Sequence, residues 1–549
     1  MIKTITLILT IAIYLSSSAQ GSLLDSYLEQ AKQSYREHSN KKVHQTIKST
    51  RNIQSYQLGD QKTFWKWSLT VMPPQDVQVT ATCRAVGEHS YVFVEDAEWG
   101  TSMSQTDVDE ILFRLEEETL NSSEMGIVEM DTTFFGPVPD ELDGDEKVIF
   151  FYSKLGSYGS SVFDGYFSAY NQMTDAESMS ADGKHSNECE MLYMSCNPVN
   201  PTSESSMAVL SHELQHLIHF GIDPDEDTWV DEACAEYAMV LYGAPDQISS
   251  FPDEPNDNLI EWSQAWSDYI QSMMFFVYLS EHYGGSDFIQ DIVENQDNSY
   301  TGINNALASN GFSQDFTEVF KDWTNANYID APELEDNKYN YSEMEIPDFS
   351  LEYTFTSASE SSVKTLNSCA AHYMNIYPQI GSFTLNLEAV EEANWDINLI
   401  LFENDIAKQI INSPNAHDLF YSEPTDFTPT KIILVIRNND LTTGSEKDYK
   451  INLTSSGTNV IEINSNIEAR VYPNPFNNIL NINLNTSVDS NTSVAIYNTN
   501  GELIKELYNN KLSSGVSTIQ WNAEKQKAGI YYIRIIQDNK VKNIKAVLY

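Results

Sequence analysis

The sequence predicts a multidomain fold, an α+β body followed by two antiparallel β-sandwiches, and three observations lead there. At 549 residues the chain is too long for one ordinary core. Up to about residue 330, short alternating runs give way to long helical patterns. Beyond Asp336 helical periodicity stops, and short alternating runs separated by turn residues take over.

The first residues, MIKTITLILTIAIYLSSSAQ, join Lys3 to an apolar run from Ile5 to Leu15 and a small-residue site at Ser17 and Ala19. That is the pattern of a signal peptide, residues 1–19. Residues 20–58 are polar with helical character around Leu23 to Tyr35, and are expected to be a leader or propeptide. No later run of 18 or more apolar residues occurs, so no transmembrane segment is expected in the mature protein.

An α+β body is assigned to 59–332. The runs FWKWSLTV, VQVTATC and SYVFVED alternate as strands of a twisted sheet. Asp107 to Leu120 reads as an amphipathic helix, and KVIFFYSKL from Lys147 as a buried strand. Gly, Ser, Tyr and Asp dominate 156–185, expected to be a long surface loop near a cleft, and SNECEMLYMS is expected to be an edge strand.

The chemistry concentrates between Met207 and Tyr242, in MAVLSHELQHLIHFGIDPDEDTWVDEACAEYAMVLY. On a helix advancing 100° per residue, His212 and His216 share a face while Leu210, Leu214, Leu217 and Ile218 gather opposite. Glu213 projects between them, too far round to coordinate but within reach of a water held by the metal. A catalytic zinc takes three protein ligands and keeps one position open. TWVDEACAEYA, a second helix beyond Gly221 and Pro224, supplies Glu232 as the third. Glu236, one turn on, stands where a carboxylate would hold a ligand histidine by its free N–H. His219 lies one turn too far along to coordinate, either beside the ligands or facing solvent.

HELQH followed by WVDEACAEY resembles the gluzincin metallopeptidases, whose pattern is HExxH and then (N/D)-E-x-x-(S/A)-(D/E). The stretches ATCRAVGEHSYVFV, DELDGDEKVIFF and SNECEMLY narrow the resemblance to the hyicolysin family over about 60–330. It implies a zincin-like fold, with one catalytic Zn2+ on His212, His216 and Glu232, Glu213 as general base and Glu236 as the partner of His212. WSDYIQSMMFFVYLSEHYGG is chiefly core. Tyr269 at its start resembles the family's YxxxxxF(F/L)xYL pattern and becomes the candidate oxyanion donor, with a packing tyrosine as the alternative.

Before the Lys147 strand, Asp140, Asp143 and Asp145 lie on a Gly-containing turn that offers oxygen ligands for Ca2+. The turn lacks the distal glutamate of an EF-hand, and a solvated acidic turn is the alternative. Five cysteines in an exported chain cannot all pair internally. Cys189 and Cys196 are the expected bridge, with Cys83, Cys234 and Cys369 buried as small apolar residues.

Residues 336–455, with SLEYTFTS, FTLNLEAV, INLILFE, KIILVIRN and DYKINLTS, predict one sandwich, a binding or spacer module. A linker over 456–468 leads to a second of about seven strands, 469–549, with turns at Asn500-Gly501 and Asn539. YPNPF, the NGE hairpin, AGIYYIRI and a KAVL ending resemble the carboxy-terminal sorting domain of type IX secretion substrates. The resemblance implies export through the periplasm to the medium or the outer cell surface, with the type IX machinery as partner.

A formal charge of −49, from 80 acidic and 31 basic residues, excludes nucleic acid as an expected partner. The expected activity is that of a zinc-dependent endopeptidase acting on a protein or peptide through a zinc-activated water. No GxMEN segment of the clan's aminopeptidases is present. The alternative is a surface binding or adhesion protein with a structural or inactive metal site, which an intact Glu213 speaks against.

Overall fold

The computed structural model describes residues 24, 26–38, 55–140, 142–158, 161–329, 334, 337–455, 468–486, 489–498, 503–537 and 540–549. The signal peptide, most of the leader, the body's expected end near Asp330, nearly all of the linker, and the Asn500-Gly501 and Asn539 turns lie outside them. Contacts divide the chain into two compact units. One comprises the chain to Pro378 with Leu385–Leu419 and Pro424–Asn452; the other comprises Gln379–Thr384, Phe420–Glu423 and Leu453–Tyr549.

The first unit opens with helix α1, residues 26–38. The strands β1 (Gln61–Ser68), β2 (Gln75–Val86) and β3 (Ser90–Glu95) follow. Next come α2 (Gln105–Glu116), α3 (Ile127–Phe135) and β4 (Val148–Ser153). At the start of α2 the Asp107 carboxylate accepts from both the amide and the hydroxyl of Ser104, at 2.7 Å each, which ties down the chain entering the helix. A small hairpin, β5 (Ser157–Tyr158) with β6 (Ser161–Val162), precedes β7 (Gly165–Phe167), α4 (Asp175–Asp182) and β8 (Met191–Ser195).

These strands build a six-stranded sheet in the order β1-β2-β3-β4-β8-β7. The pairs β3–β4 and β4–β8 are parallel, the others antiparallel. VIFFYS and MLYMS are buried at every position, as strands covered on both faces must be. Two expectations are corrected here. β8 is interior, and the three-residue β7, inside the stretch expected to be loop, is the edge. Cys189 and Cys196 do not bridge, and all five cysteines are free and buried. They stand at opposite ends of β8, and a strand rises about 3.3 Å per residue, so their separation far exceeds the roughly 7 Å limit for a disulfide.

The helices α5 (Glu204–Ile222), α6 (Thr228–Tyr242) and α7 (Trp266–Tyr283) carry the candidate site. The Ser203 hydroxyl caps α5 by accepting from Ser206 N, and Gly243, at φ +106°, ends α6 where a side chain would be strained. α5 packs between α3 and α6 and against β7 and β8. Gly221 near its end leaves room for the Pro139 ring, which a Cβ would meet at 2.9 Å. α8 (Ser286–Val293), α9 (Ser299–Ser309) and α10 (Phe316–Ile329) complete this part.

Beyond it, the described residues form the strands β9 (Tyr353–Phe355), β10 (Lys364–Asn367), β11 (Ala370–Ile376), β12 (Phe383–Ala389), β13 (Trp395–Glu403), β14 (Ile406–Asn412), β15 (Asp418–Tyr421), β16 (Lys431–Asn438) and β17 (Glu446–Ser455). They form the sheets β10-β17-β12-β15 and β14-β13-β16-β11-β9. β9 departs from the antiparallel expectation by joining β11 in parallel. Arg437 on β16, fully buried, reaches Asp396 at 3.0 Å, Asn325 at 2.5 Å and the Lys321 carbonyl at 3.1 Å, tying this sheet to α10. The seven terminal strands, β18 (Glu468–Tyr472) to β24 (Lys540–Leu548), form sheets of three and four around Phe476, Trp521 and Ile533.

Candidate metal centre

Because His212 and His216 are one helical turn apart, their imidazoles project side by side, with Nε2 atoms 3.1 Å apart. Glu232, in the first turn of α6, brings Oε2 to 3.4 Å from the first and 3.5 Å from the second. Three ligating atoms thus form a nearly equilateral triangle. At the Zn–N and Zn–O lengths of about 2.0–2.2 Å, two ligands of a tetrahedral ion stand roughly 3.3–3.5 Å apart. The triangle therefore matches one tetrahedral face, and all three residues line the cavity. Glu232 Oε2 is buried without a hydrogen-bond partner, as an oxygen reserved for a cation would be. The donor set fits zinc.

Around the triangle stand the groups that hold it. Glu236 Oε1 lies 3.3 Å from Nδ1 of His212, and Asp231 Oδ2 lies 3.1 Å from Nδ1 of His216. His219 is buried, its Nδ1 3.2 Å from the other Asp231 oxygen, so it faces the carboxylate and not solvent. Burial opposes charge on both histidines, yet neighbouring carboxylates outweigh it: Glu232 and Glu236 raise His212, and Asp231 and Glu232 push His216 up to about 9. Burial would raise Glu232, but the two imidazoles hold it down at about 2. An ionised glutamate is what a metal requires.

Glu213 is one residue on from His212 and lines the same cavity. Its Oε2 accepts a 2.8 Å hydrogen bond from the Phe167 N–H on edge strand β7, which leaves Oε1 to take a proton. Burial raises its pKa above the usual carboxylate value, the direction a general base needs. Tyr269 lines the cavity from the start of α7, its ring edge-on to Trp262 at 4.7 Å between centroids.

Three contributors were missed from sequence: Phe167, Asp231 as the holder of two histidines, and Lys32. α1 lies over the cavity, with its Leu28, Glu29 and Lys32 in the wall beside the preceding Leu24. Lys32 Nζ donates to Asp231 Oδ2 in a largely buried pair. Burial opposes its charge, but Asp231, Glu29 and Glu232 raise its pKa. Only about 120 Å³ of space remains, below the roughly 300–1,000 Å³ of ordinary ligand pockets. Lysine in the helical LLDSYLEQAKQSY, four residues beyond Leu28, was the one available sign of an inward cation.

Residues 470–549 match the model of the secretion system C-terminal sorting domain. The carboxy-terminal module is a type IX sorting domain. The protein is accordingly secreted or held at the outer surface. Among the described residues no helix is long and apolar enough to cross a membrane. No curated protein matches the chain. Among solved structures, PorZ, a surface component of the type IX secretion system of Porphyromonas gingivalis, is 23% identical over 18% of this chain and 14% of its own, with a TM-score of 0.13. The adhesin domain of Epf from Streptococcus pyogenes is 12% identical over 34% of this chain and 76% of its own, TM-score 0.13. A β-glucuronidase from Ruminococcus gnavus is 10% identical over 32% and 36%, TM-score 0.11. Overlap of this extent carries no inference about activity.

Proposed function

We propose that the protein is an exported zinc endopeptidase with a zincin-like catalytic domain, made as a precursor whose leader helix caps the cleft. The observation that supports hydrolysis most directly is Glu213: a carboxylate beside the ligand triangle, anchored through one oxygen and free at the other. A site serving only structure has no use for such a base. His212, His216 and Glu232 would hold the ion, with Glu236 and Asp231 orienting the imidazoles. Zinc, when bound, supplies the Lewis acidity that polarises the scissile carbonyl and acidifies water.

The protein's own part is positioning and proton transfer. An extended substrate adds beside β7, the last strand of the sheet, and its backbone hydrogen bonds set the scissile bond above the triangle. Glu213 Oε1 takes the proton of the attacking water and returns it to the leaving amine. Tyr269 donates to the oxyanion from the cavity wall. α1 must leave first, since its side chains occupy the space the substrate needs.

Glu213→Gln tests the chemistry. It removes the base without removing a ligand, so hydrolysis of a peptide library, read by mass spectrometry, should fall by about 10²–10⁴ or more, with zinc content unchanged. Full activity in a zinc-loaded variant would sink the mechanism. Absence of any cleavage by zinc-loaded wild type lacking residues 1–54 would favour the surface-binding alternative.

A further inference from the structure

A second group of ligating side chains stands at the start of β8, apart from the zinc triangle. Asp140, Asp143 and Glu190 each bring one carboxylate oxygen to within 4.8 Å of the others. Two oxygens on one calcium ion, bound at 2.3–2.6 Å, can be no more than about 4.6–5.2 Å apart. The two aspartates belong to the turn between α3 and β4, where Gly144 at φ +75° supplies a left-handed bend. Glu190 comes from the far side of a loop, one residue before β8, and was no part of the acidic turn visible in sequence.

Acidic clusters are common on so anionic a protein, and what sets this one apart is Glu190. It is 1% exposed, both its carboxylate oxygens are buried, and the side chain at hydrogen-bonding range of it is another acid, Asp143, which brings no cation. Burying a carboxylate beside two others is costly unless a cation or a set of donors compensates. The nearby Lys62 is engaged elsewhere, donating to the Tyr56 hydroxyl at 2.8 Å and lying 3.8 Å from Cys189 Sγ. Asp145, expected from sequence to join the turn's ligands, is not among the three and accepts instead from the Tyr91 hydroxyl at 2.7 Å. The remaining donors are all carboxylate oxygens, with no imidazole or thiolate among them, which selects a hard cation over zinc.

We propose that Asp140, Asp143 and Glu190 form a calcium site that clamps the α3–β4 turn to the root of β8. Solvent completes the coordination on the exposed Asp140 side. The ion takes no part in hydrolysis, and the site stands whether or not the protein is a peptidase. It joins two segments 47 residues apart, from Asp143 to Glu190, at the end of the sheet where the Ile149 amide already donates to the Glu190 carbonyl at 2.9 Å.

Titration calorimetry of the zinc-loaded exported chain with CaCl2, in buffer stripped by a chelating resin, tests the site. Wild type should show one saturable site per chain above the weak binding of surface carboxylates. Glu190→Gln and Asp143→Asn should each abolish it, the second on a partly exposed turn where misfolding is not at issue. Melting should reverse order: in stripped buffer Glu190→Gln melts at or above wild type, and in millimolar Ca2+ wild type melts higher. Absence of a saturable site, or its retention in both variants, overturns the proposal. Tighter binding of MgCl2 than of CaCl2 overturns the assignment to calcium.

Discussion

Replacing Lys32 with methionine keeps the side chain's length and apolar stem while removing its charge, which isolates the ion pair that pins α1 over the cleft. Removing one member of a buried pair typically costs 3–5 kcal/mol because the other charge is stranded. Asp231 is not stranded here, since His216 and His219 still lie at 3.1 and 3.2 Å. Its loss is closer to that of one charge-assisted hydrogen bond, about 2 kcal/mol. At 1.4 kcal/mol per tenfold, the population of uncapped precursor should rise by about 30-fold. Leu24 and Leu28 remain in contact, so the helix still docks part of the time. The assay is initial rate on a quenched fluorescent peptide, comparing uncleaved precursors with a chain beginning at Ser55. Lys32→Arg should stay close to wild type. A folded Lys32→Met precursor no faster than wild type, while the Ser55 chain is active, would refute the pinning role. A wild-type precursor as fast as the Ser55 chain would refute the cap altogether.

Three further outcomes are expected. Glu232→Ala should lose zinc in competition with a chelator far more readily than Glu236→Ala, whose loss should be of the order of 10–100-fold in affinity or activity; the reverse order would mean that Glu236 is the ligand. Burial and then Asp143 push the calcium-free Glu190 carboxyl up to about 8. Because that value is raised on folding, the associated stability is present at low pH and is lost between roughly pH 4.5 and 8. Melting of wild type relative to Glu190→Gln should therefore decline across that window in stripped buffer and not in calcium, and a flat difference would contradict the burial of an unpaired carboxylate. Truncation after Asn464 should trap the protein in the periplasm of its native host, as fractionation would show; normal extracellular levels would contradict the sorting role.

What could be read from sequence was what local geometry determines. HELQH needs only a helical repeat to bring His212 and His216 together, and the spacing to Glu232 needs only a turn between two helices. β1 to β4 and the seven terminal strands were legible because alternation and buried apolar runs persist over five or more residues. Illegible features depend on distant chain. β7 is three residues long, too short to carry a period, and is a strand only because β8 lies beside it. That added strand is what makes β8 interior. Glu190 joins Asp140 and Asp143 only once β4 and β8 are paired, and Lys32 meets Asp231 across 199 residues.

In the proposed reaction, the hydrogen bond from the Phe167 amide to Glu213 would tie recognition to chemistry mechanically. β7 is at once the rim a substrate would dock on and the anchor of the group that would move the proton, so the base is not an independent part that recognition merely delivers a peptide to. Anything that shifts this edge, whether a poorly fitting substrate or a substitution in the Gly-rich approach to Gly165, would then also turn the Glu213 carboxylate about its anchored oxygen. For the proposed reaction, selectivity should then appear mainly in kcat: poor peptides would bind and sit above a misaimed base. The short edge strand would work as a gauge, reporting the shape of the bound chain to the proton-transfer site through a single amide.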